Sequence, residues 1–303
     1  MRRSRSLQFL AWALVLALFL SACAPEKPLE TVRDTRTTVL TPEAPGEIVT
    51  GNDYATLDSS RTQEGYIQVC YSGEAPRAKL QLMDPEGTLY IYTLLPGGFE
   101  TLPLTGGDGI YSVTVLENAF DNVYAVAYTG ELEASQVDEF KPYLYPNQYV
   151  WYTADSKVLT LGRELSDRSA DDLSYVQNVY EYVTKNIVYD KALAADVPTD
   201  YLPDPDRTAE TGKGICLDYA SLMTALLRSQ GIPAKLVVGW SGTQYHAWIS
   251  VWTEDTGWVD GVIFFDGIAW QRLDPTFASY DNQSDRIMRY IGDGTNYSEK
   301  YFY

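Results

Sequence analysis

Apolar positions recur along this chain in three rhythms. Leu7 to Leu20 is almost continuously apolar. From Tyr54 onward short runs of tyrosine and β-branched residues alternate with turn formers, the period-two signature of strands. Tyr66 to Tyr71, Lys79 to Met83, Thr88 to Leu95, Ile110 to Leu116 and Val123 to Thr129 are the clearest. Asp84-Pro85-Glu86-Gly87 joins two of them as a hairpin. The rhythm then lengthens. Leu173, Val176, Val179, Val183 and Ile187 fall at steps of three and four, which predicts an amphipathic helix over Asp171 to Val188, with Asp171 and Asp172 at its positive end. A second helix opens at Cys216 and is apolar nearly all round, so it is expected to be buried; Gly231 and Pro233 stop it. Strands are predicted at Ala234 to Trp240, Tyr245 to Trp252, Val262 to Phe265 and Ala269 to Leu273, with turns at Glu254–Gly257 and Asp266-Gly267.

These elements divide the chain. Residues 1–22 read as an export signal: Arg2, Arg3 and Arg5 precede an apolar stretch short for a membrane span, which ends in Leu20-Ser21-Ala22-Cys23. That ending resembles the bacterial lipobox, which implies lipidation at Cys23 and an anchor on the extracytoplasmic face of the cell membrane. Residues 23–53, rich in Pro, Thr and Glu, read as a flexible tether. Residues 54–140 are expected to form a small all-β, sandwich-like domain. Residues 141–303 follow through the aromatic connector Phe140 to Tyr152, which should pack rather than swing free; helices followed by antiparallel strands make this part α+β. The final segment, Ile287 to Tyr303, should pack on the same domain.

Composition sharpens the picture in two respects. The formal net charge is −18, from 23 basic and 41 acidic residues, which argues against a nucleic-acid partner. The three cysteines, Cys23, Cys70 and Cys216, have no C-x-x-C spacing, so neither a disulfide framework nor a structural zinc site is expected, and Cys70 reads as a buried unpaired thiol. Asp196, Asp200, Asp204 and Asp206 lack the order of a known calcium loop and read as a solvated loop leading into the Cys216 segment. No metal or cofactor is assigned.

The candidate chemistry sits in Gly212-Lys213-Gly214-Ile215-Cys216. A thiol at a helix N-terminus, beside an imidazole, is favoured as the nucleophilic thiolate, and the helix's first N–H groups can hold an oxyanion. The only histidine in 303 residues, His246, follows on a strand, and Asp274 follows that. In a catalytic reading His246 takes and returns the proton and Asp274 orients the ring. Each residue alone also has an ordinary reading: a structural cysteine, a packed histidine, a turn-forming Asp before Pro275. Trp240, Tyr245 and Trp248 could line a substrate cleft or pack in the core. A side-chain oxyanion donor is expected upstream, near Asn186 or Tyr189.

The motifs GICLDYA, YHAW and LDPT, in that order over roughly Leu173 to Ala278, resemble the transglutaminase-like superfamily. The resemblance implies a papain-like core, a central helix against an antiparallel sheet, with Cys216 as nucleophile, His246 as base and Asp274 as orienting acid. It implies a thioacyl intermediate and action on amide bonds of a peptide or protein substrate, cell-wall-associated ones included, by hydrolysis or acyl transfer. The alternative is a non-catalytic surface module that uses this core to bind peptide or wall.

Overall fold

The computed structural model of the chain describes residues 32–34, 39–135, 138–254, 257–260, 263–265, 270–272 and 296–303. Its first half is two four-stranded antiparallel sheets. Strands β1 (Val49–Gly51), β2 (Ala55–Asp58), β3 (Tyr66–Tyr71), β4 (Ala78–Met83), β5 (Leu89–Leu94), β6 (Phe99–Pro103), β7 (Gly109–Phe120) and β8 (Val123–Ala134) arrange in the orders β1-β2-β3-β6 and β5-β4-β7-β8. The alternation expected from sequence places Ala78, Leu80 and Leu82 of β4 inside, with Tyr111, Val113 and Val115 of β7. In the β4–β5 hairpin, Asp84 Oδ1 accepts from the N–H groups of Glu86 and Thr88 at 3.0 and 2.7 Å, and Gly87 takes φ +89°. Strand β3 is covered on nearly its whole length, and its buried Gln68 donates to Thr101 Oγ1 at 3.0 Å rather than facing solvent. Cys70 is a free thiol, half-buried rather than fully buried.

The helical half begins with α1 (Lys157–Ser166) and α2 (Asp172–Asn186). Asp171 caps α2 by accepting from Ser174 N at 2.8 Å, while Ser174 Oγ accepts from Asp171 N at 3.0 Å. Val176, Val179 and Val183 bury the predicted stripe. Helix α1 is not signalled by the sequence. Its Gly162 lowers helix propensity, and the structure uses it for a close approach: a Cβ there would stand 2.9 Å from Ser229 Oγ. The short strand β9 (Val188–Tyr189) and helices α3 (Lys191–Ala195) and α4 (Pro205–Thr211) then lead to β10 (Lys213–Gly214) and α5 (Cys216–Ser229). The stretch read as a solvated acidic loop thus ends in a helix, capped by Asp204, which accepts from Arg207 N at 3.0 Å, with Pro205 at the first helical position.

Helix α5 is the central element. It packs on α1, α2 and α4 and on the sheet behind, and every residue from Asp218 to Ser229 is buried. Burying leucines such as Leu222, Leu226 and Leu227 contributes about 1.5–3 kcal/mol each. The sheet has the order β13-β12-β11-β16, from β11 (Ala234–Ser241), β12 (Gln244–Thr253), β13 (Gly257–Asp260) and β16 (Tyr297–Phe302), and a hairpin of β14 (Ile263–Phe265) and β15 (Trp270–Arg272) stands outside it. A central helix against an antiparallel sheet, preceded by an all-β half, is the α+β arrangement expected.

Residues Val32–Tyr303 form one compact unit with a single connected core. Arg33, inside the stretch expected to be tether, is buried: it bonds Asp172 of α2, Ser166 Oγ at 3.2 Å and the Gln230 carbonyl at 2.9 Å, and lies 4.9 Å from the Tyr175 ring centre. A charged side chain satisfied this way holds its segment against the helices. Among the described residues no helix is long and apolar enough to cross a membrane. Cys23 lies outside the described residues.

Candidate functional site

The approach to Cys216 is fixed residue by residue. Gly212 ends α4 in the left-handed region at φ +62°, where any other residue is strained. Lys213 and Gly214 run parallel to Val188 and Tyr189, with Val188 N donating to the Gly212 carbonyl at 2.8 Å and Asp190 N to the Gly214 carbonyl at 2.9 Å. A Cβ on Gly214 would meet the Asp218 Cβ at 2.5 Å, so only glycine lets the two pass. Ile215 is extended, and its N–H donates to Asp218 Oδ2 at 2.8 Å. The chain therefore turns into α5 with Cys216 at the first helical position, half-buried and free. The first N–H groups of a helix have no intrahelical acceptor and face whatever lies before it.

Asp218 is the second group in this turn. Its carboxylate is 1% exposed and sits two residues from the thiol. Tyr201 donates to its Oδ1 at 2.7 Å, and Arg207 Nη2 donates to the Tyr201 oxygen at 2.9 Å while lying 3.9 Å from Asp218 Oδ1. Burial pushes the Asp218 carboxyl above its usual range; the Ile215 N–H and the Tyr201 hydroxyl act in the opposite sense.

His246 lies on β12, opposite Gly239 of β11. It is 7% exposed and stacks on Trp248 two residues on, with ring centres 6.3 Å apart. Gly239 leaves room for this pair, because a Cβ there would meet Trp248 at 2.9 Å and the Ser298 carbonyl at 2.1 Å.

Cys216 and His246 line the same cavity, about 430 Å³ in volume. Five tyrosines and six aliphatic residues form the rest of its wall. Tyr245 immediately precedes the histidine on β12, Tyr189 comes from β9, and Tyr149, Tyr201 and Tyr303 come from the connector, the loop before α4 and the residue after β16. Among the described residues the wall carries no carboxylate, lysine or arginine side chain, so the space suits a neutral group such as an amide. Burial pushes the Tyr245 phenol up to about 12, with the neighbouring Cys216 acting in the same sense.

The sequence-predicted residues separate here. Cys216, His246 and Tyr245 meet in the cavity. Trp248 does not line it: at 1% exposure it is a core residue, packed edge-on against Tyr297 with ring centres 5.1 Å apart. Trp240 is 44% exposed and packs against Tyr245 outside the wall. For Trp248 the reason is position along the strand: β12 is covered along its middle, and its residues next to the turn, Tyr245 to Ala247, reach the cavity. Asn186 spends its amide on the Tyr182 carbonyl at 2.7 Å and is absent from the wall, whereas Tyr189 is part of it. Asp274 lies outside the described residues. Tyr149, Tyr201 and Tyr303 were not marked as site residues by sequence, because three single tyrosines from distant segments share no motif.

Residues 160–261 match the sequence model of the transglutaminase-like superfamily. This stretch is similar to a transglutaminase-like core. It holds α5, β11 and β12, and so both Cys216 and His246. Among curated proteins, a UPF0252 protein of Methanocaldococcus jannaschii is 29% identical over 150 residues, 46% of this chain and 40% of that protein. The protein-glutamine gamma-glutamyltransferase of Pseudomonas aeruginosa is 33% identical over 82 residues, 22% of this chain and 11% of that protein. The chain thus spans less than half the length of these relatives. Red sea bream transglutaminase is similar in structure at a TM-score of 0.29 and 15% identity, over 70% of this chain and 48% of that one.

Proposed function

We propose that the chain is a cysteine enzyme acting on amide bonds of peptides or proteins through a thioacyl intermediate on Cys216. The observation that carries this is the meeting of Cys216, at the first position of a buried helix, with His246 in one neutral, tyrosine-walled cavity. His246 takes the thiol proton; the sulfur attacks the amide carbonyl; the oxyanion faces the backbone N–H groups at the very start of α5. His246 then returns the proton to the leaving amine, and water or a second amine releases the acyl group. Asp274 is assigned the orienting role at the imidazole.

A glutamine side-chain amide is one fitting acyl donor, because it is uncharged as the wall is, and a relative of this core carries the name protein-glutamine gamma-glutamyltransferase. Cys23 is proposed as a lipid-bearing N-terminus that places this centre on the extracytoplasmic face of a membrane.

Peptides incubated with the protein, with and without an isotope-labelled amine, are read by mass spectrometry. Cleaved peptide means hydrolysis, a one-unit mass gain at glutamine means deamidation, and incorporated amine means transfer. Any of the three, lost in Cys216→Ala, supports the proposal; the same products at the same rate from Cys216→Ala sink it.

A further inference from the structure

The β-sheet half reaches the turn that carries the candidate nucleophile. Lys79, on β4, places its ammonium 2.7 Å from Asp200 Oδ1, and both side chains are mostly covered, at 25% and 19% exposure. Asp200 takes φ +63°, a left-handed backbone that residues other than glycine rarely adopt, so an anchor from outside the loop has something to hold. The next residue, Tyr201, lines the cavity and donates to Asp218 Oδ1 at 2.7 Å. The other oxygen of Asp218 accepts from Ile215 N at 2.8 Å, immediately before Cys216. Lys79, Asp200, Tyr201, Asp218 and Ile215 therefore form a continuous path from the first half of the chain to the thiol's own turn.

We infer that Lys79 is a positioning residue for Cys216, acting through the Asp200-Tyr201 loop and the Asp218 carboxylate. This rests on the reading of Cys216 as the nucleophile. The first half is then a supporting part of the catalytic centre rather than a separate module. A second support runs in parallel: Tyr149 of the cavity wall donates to the Ile91 carbonyl of β5 at 3.3 Å, and its ring lies 6.1 Å from that of Tyr92 on the same strand.

The electrostatic consequence has a direction. Asp218 faces Tyr201, Arg207 and, at longer range, Asp190; Asp200 faces Lys79 and Tyr149; Cys216 shares its cavity with His246 and Tyr245. When Tyr201 leaves, Asp218 loses a donor, and Arg207, bonded to that same phenol, loses its hold. The carboxylate's charge then acts on the thiolate with less compensation, and the Ile215 turn loosens. Both raise the pH at which Cys216 becomes reactive.

The test is site-resolved alkylation of the full chain with iodoacetamide across pH 5–9, read by mass spectrometry of the Cys216 and Cys70 peptides. Cys70 is a free thiol in the same molecule and serves as the internal reference. Lys79→Met, Asp200→Asn and Tyr201→Phe are each expected to slow Cys216 at pH 7 by about tenfold against Cys70, the change that follows a rise of about one pH unit in the profile's midpoint. Lys79→Arg is expected to restore it. Thermal unfolding run in parallel keeps the comparison among folded variants, and the near-isosteric Asp200→Asn carries the test where Lys79→Met does not fold. An unchanged Cys216 profile in folded Lys79→Met or Asp200→Asn, with Cys216 fast in the unmodified protein, overturns this inference alone. Cys216 reacting no faster than Cys70 in the unmodified protein overturns the nucleophile reading and this inference with it.

Discussion

Gly214 shows how finely the site is set at the scale of single residues. Its missing Cβ is what lets the Asp218 carboxylate reach back to Ile215 N, because a Cβ would stand 2.5 Å from that of Asp218. Gly214→Ala is expected to destabilise the protein by about 1–3 kcal/mol, the usual cost of overpacking, and to slow acyl-probe labelling of Cys216 in the protein that remains folded. Denaturant unfolding and labelling rates check the two parts; an alanine variant equal to the unmodified protein in both would contradict the geometry. At this scale much was legible in advance. Cys216 was placed at a helix start by the glycines before it and the apolar run after it, and His246 by an aromatic strand. For Trp248 the sequence leaves cleft lining and core packing both open, and the structure takes the second, because strand alternation says which residues share a side but not which end of that side is roofed. Tyr201 was not legible, since its role depends on Asp218, seventeen residues later, coming within 2.7 Å.

At the scale of elements, periodic segments read correctly, as did the short strand pair β14 and β15, while two helices did not. Strand β3 occupies Tyr66–Tyr71 as expected, and α2 and α5 start where their caps and apolar stripes begin. Helices α1 and α4 escaped, the first because Gly162 serves packing against α5 rather than propensity, the second because its Asp204-Pro205 start lies in a run of similar residues. The exposed face of α2 gives a testable pH dependence. Lys185, bonded to Glu181 one turn earlier at 2.7 Å, holds that carboxyl below its usual range. A depressed native carboxyl contributes stability above its unfolded pKa and loses it as pH falls through the native one. Glu181→Gln should therefore cost only about 0.3 kcal/mol at pH 7 and low salt, and nothing once pH is below the native value. Paired denaturation curves at the two pH values measure this; an equal difference at both would show that the ion pair is not its source.

For the whole molecule, the question is why two halves of different class behave as one unit. Arg228, near the end of α5, is fully buried; it donates to the carbonyls of Ala234, Tyr145 and Tyr303, at 2.9 and 2.8 Å, 2.8 Å and 2.6 Å. One guanidinium so ties the central helix to β11, to the connector from the first half and to the residue after β16. Desolvation lowers its pKa to about 10, so it stays charged at neutral pH. Arg228→Met is expected to cost about 3–5 kcal/mol, since it leaves buried carbonyls unpaired, and the all-β and helical halves should lose structure together in the unmodified protein. Unfolding followed by near- and far-UV circular dichroism tests both; two separated transitions would contradict a shared core.

The central claim is that this unit exists to present a reactive thiol to an amide carbonyl. The most direct measurement is mass spectrometry of the Cys216 peptide after incubation with an activated acyl probe, before and after hydroxylamine. The account predicts a hydroxylamine-labile acyl adduct on Cys216 that forms in the unmodified protein, is greatly slowed in His246→Gln and is absent in Cys216→Ala. Equal probe uptake by Cys216→Ala and the unmodified protein, or an adduct on Cys216 that forms as fast without His246, would contradict it.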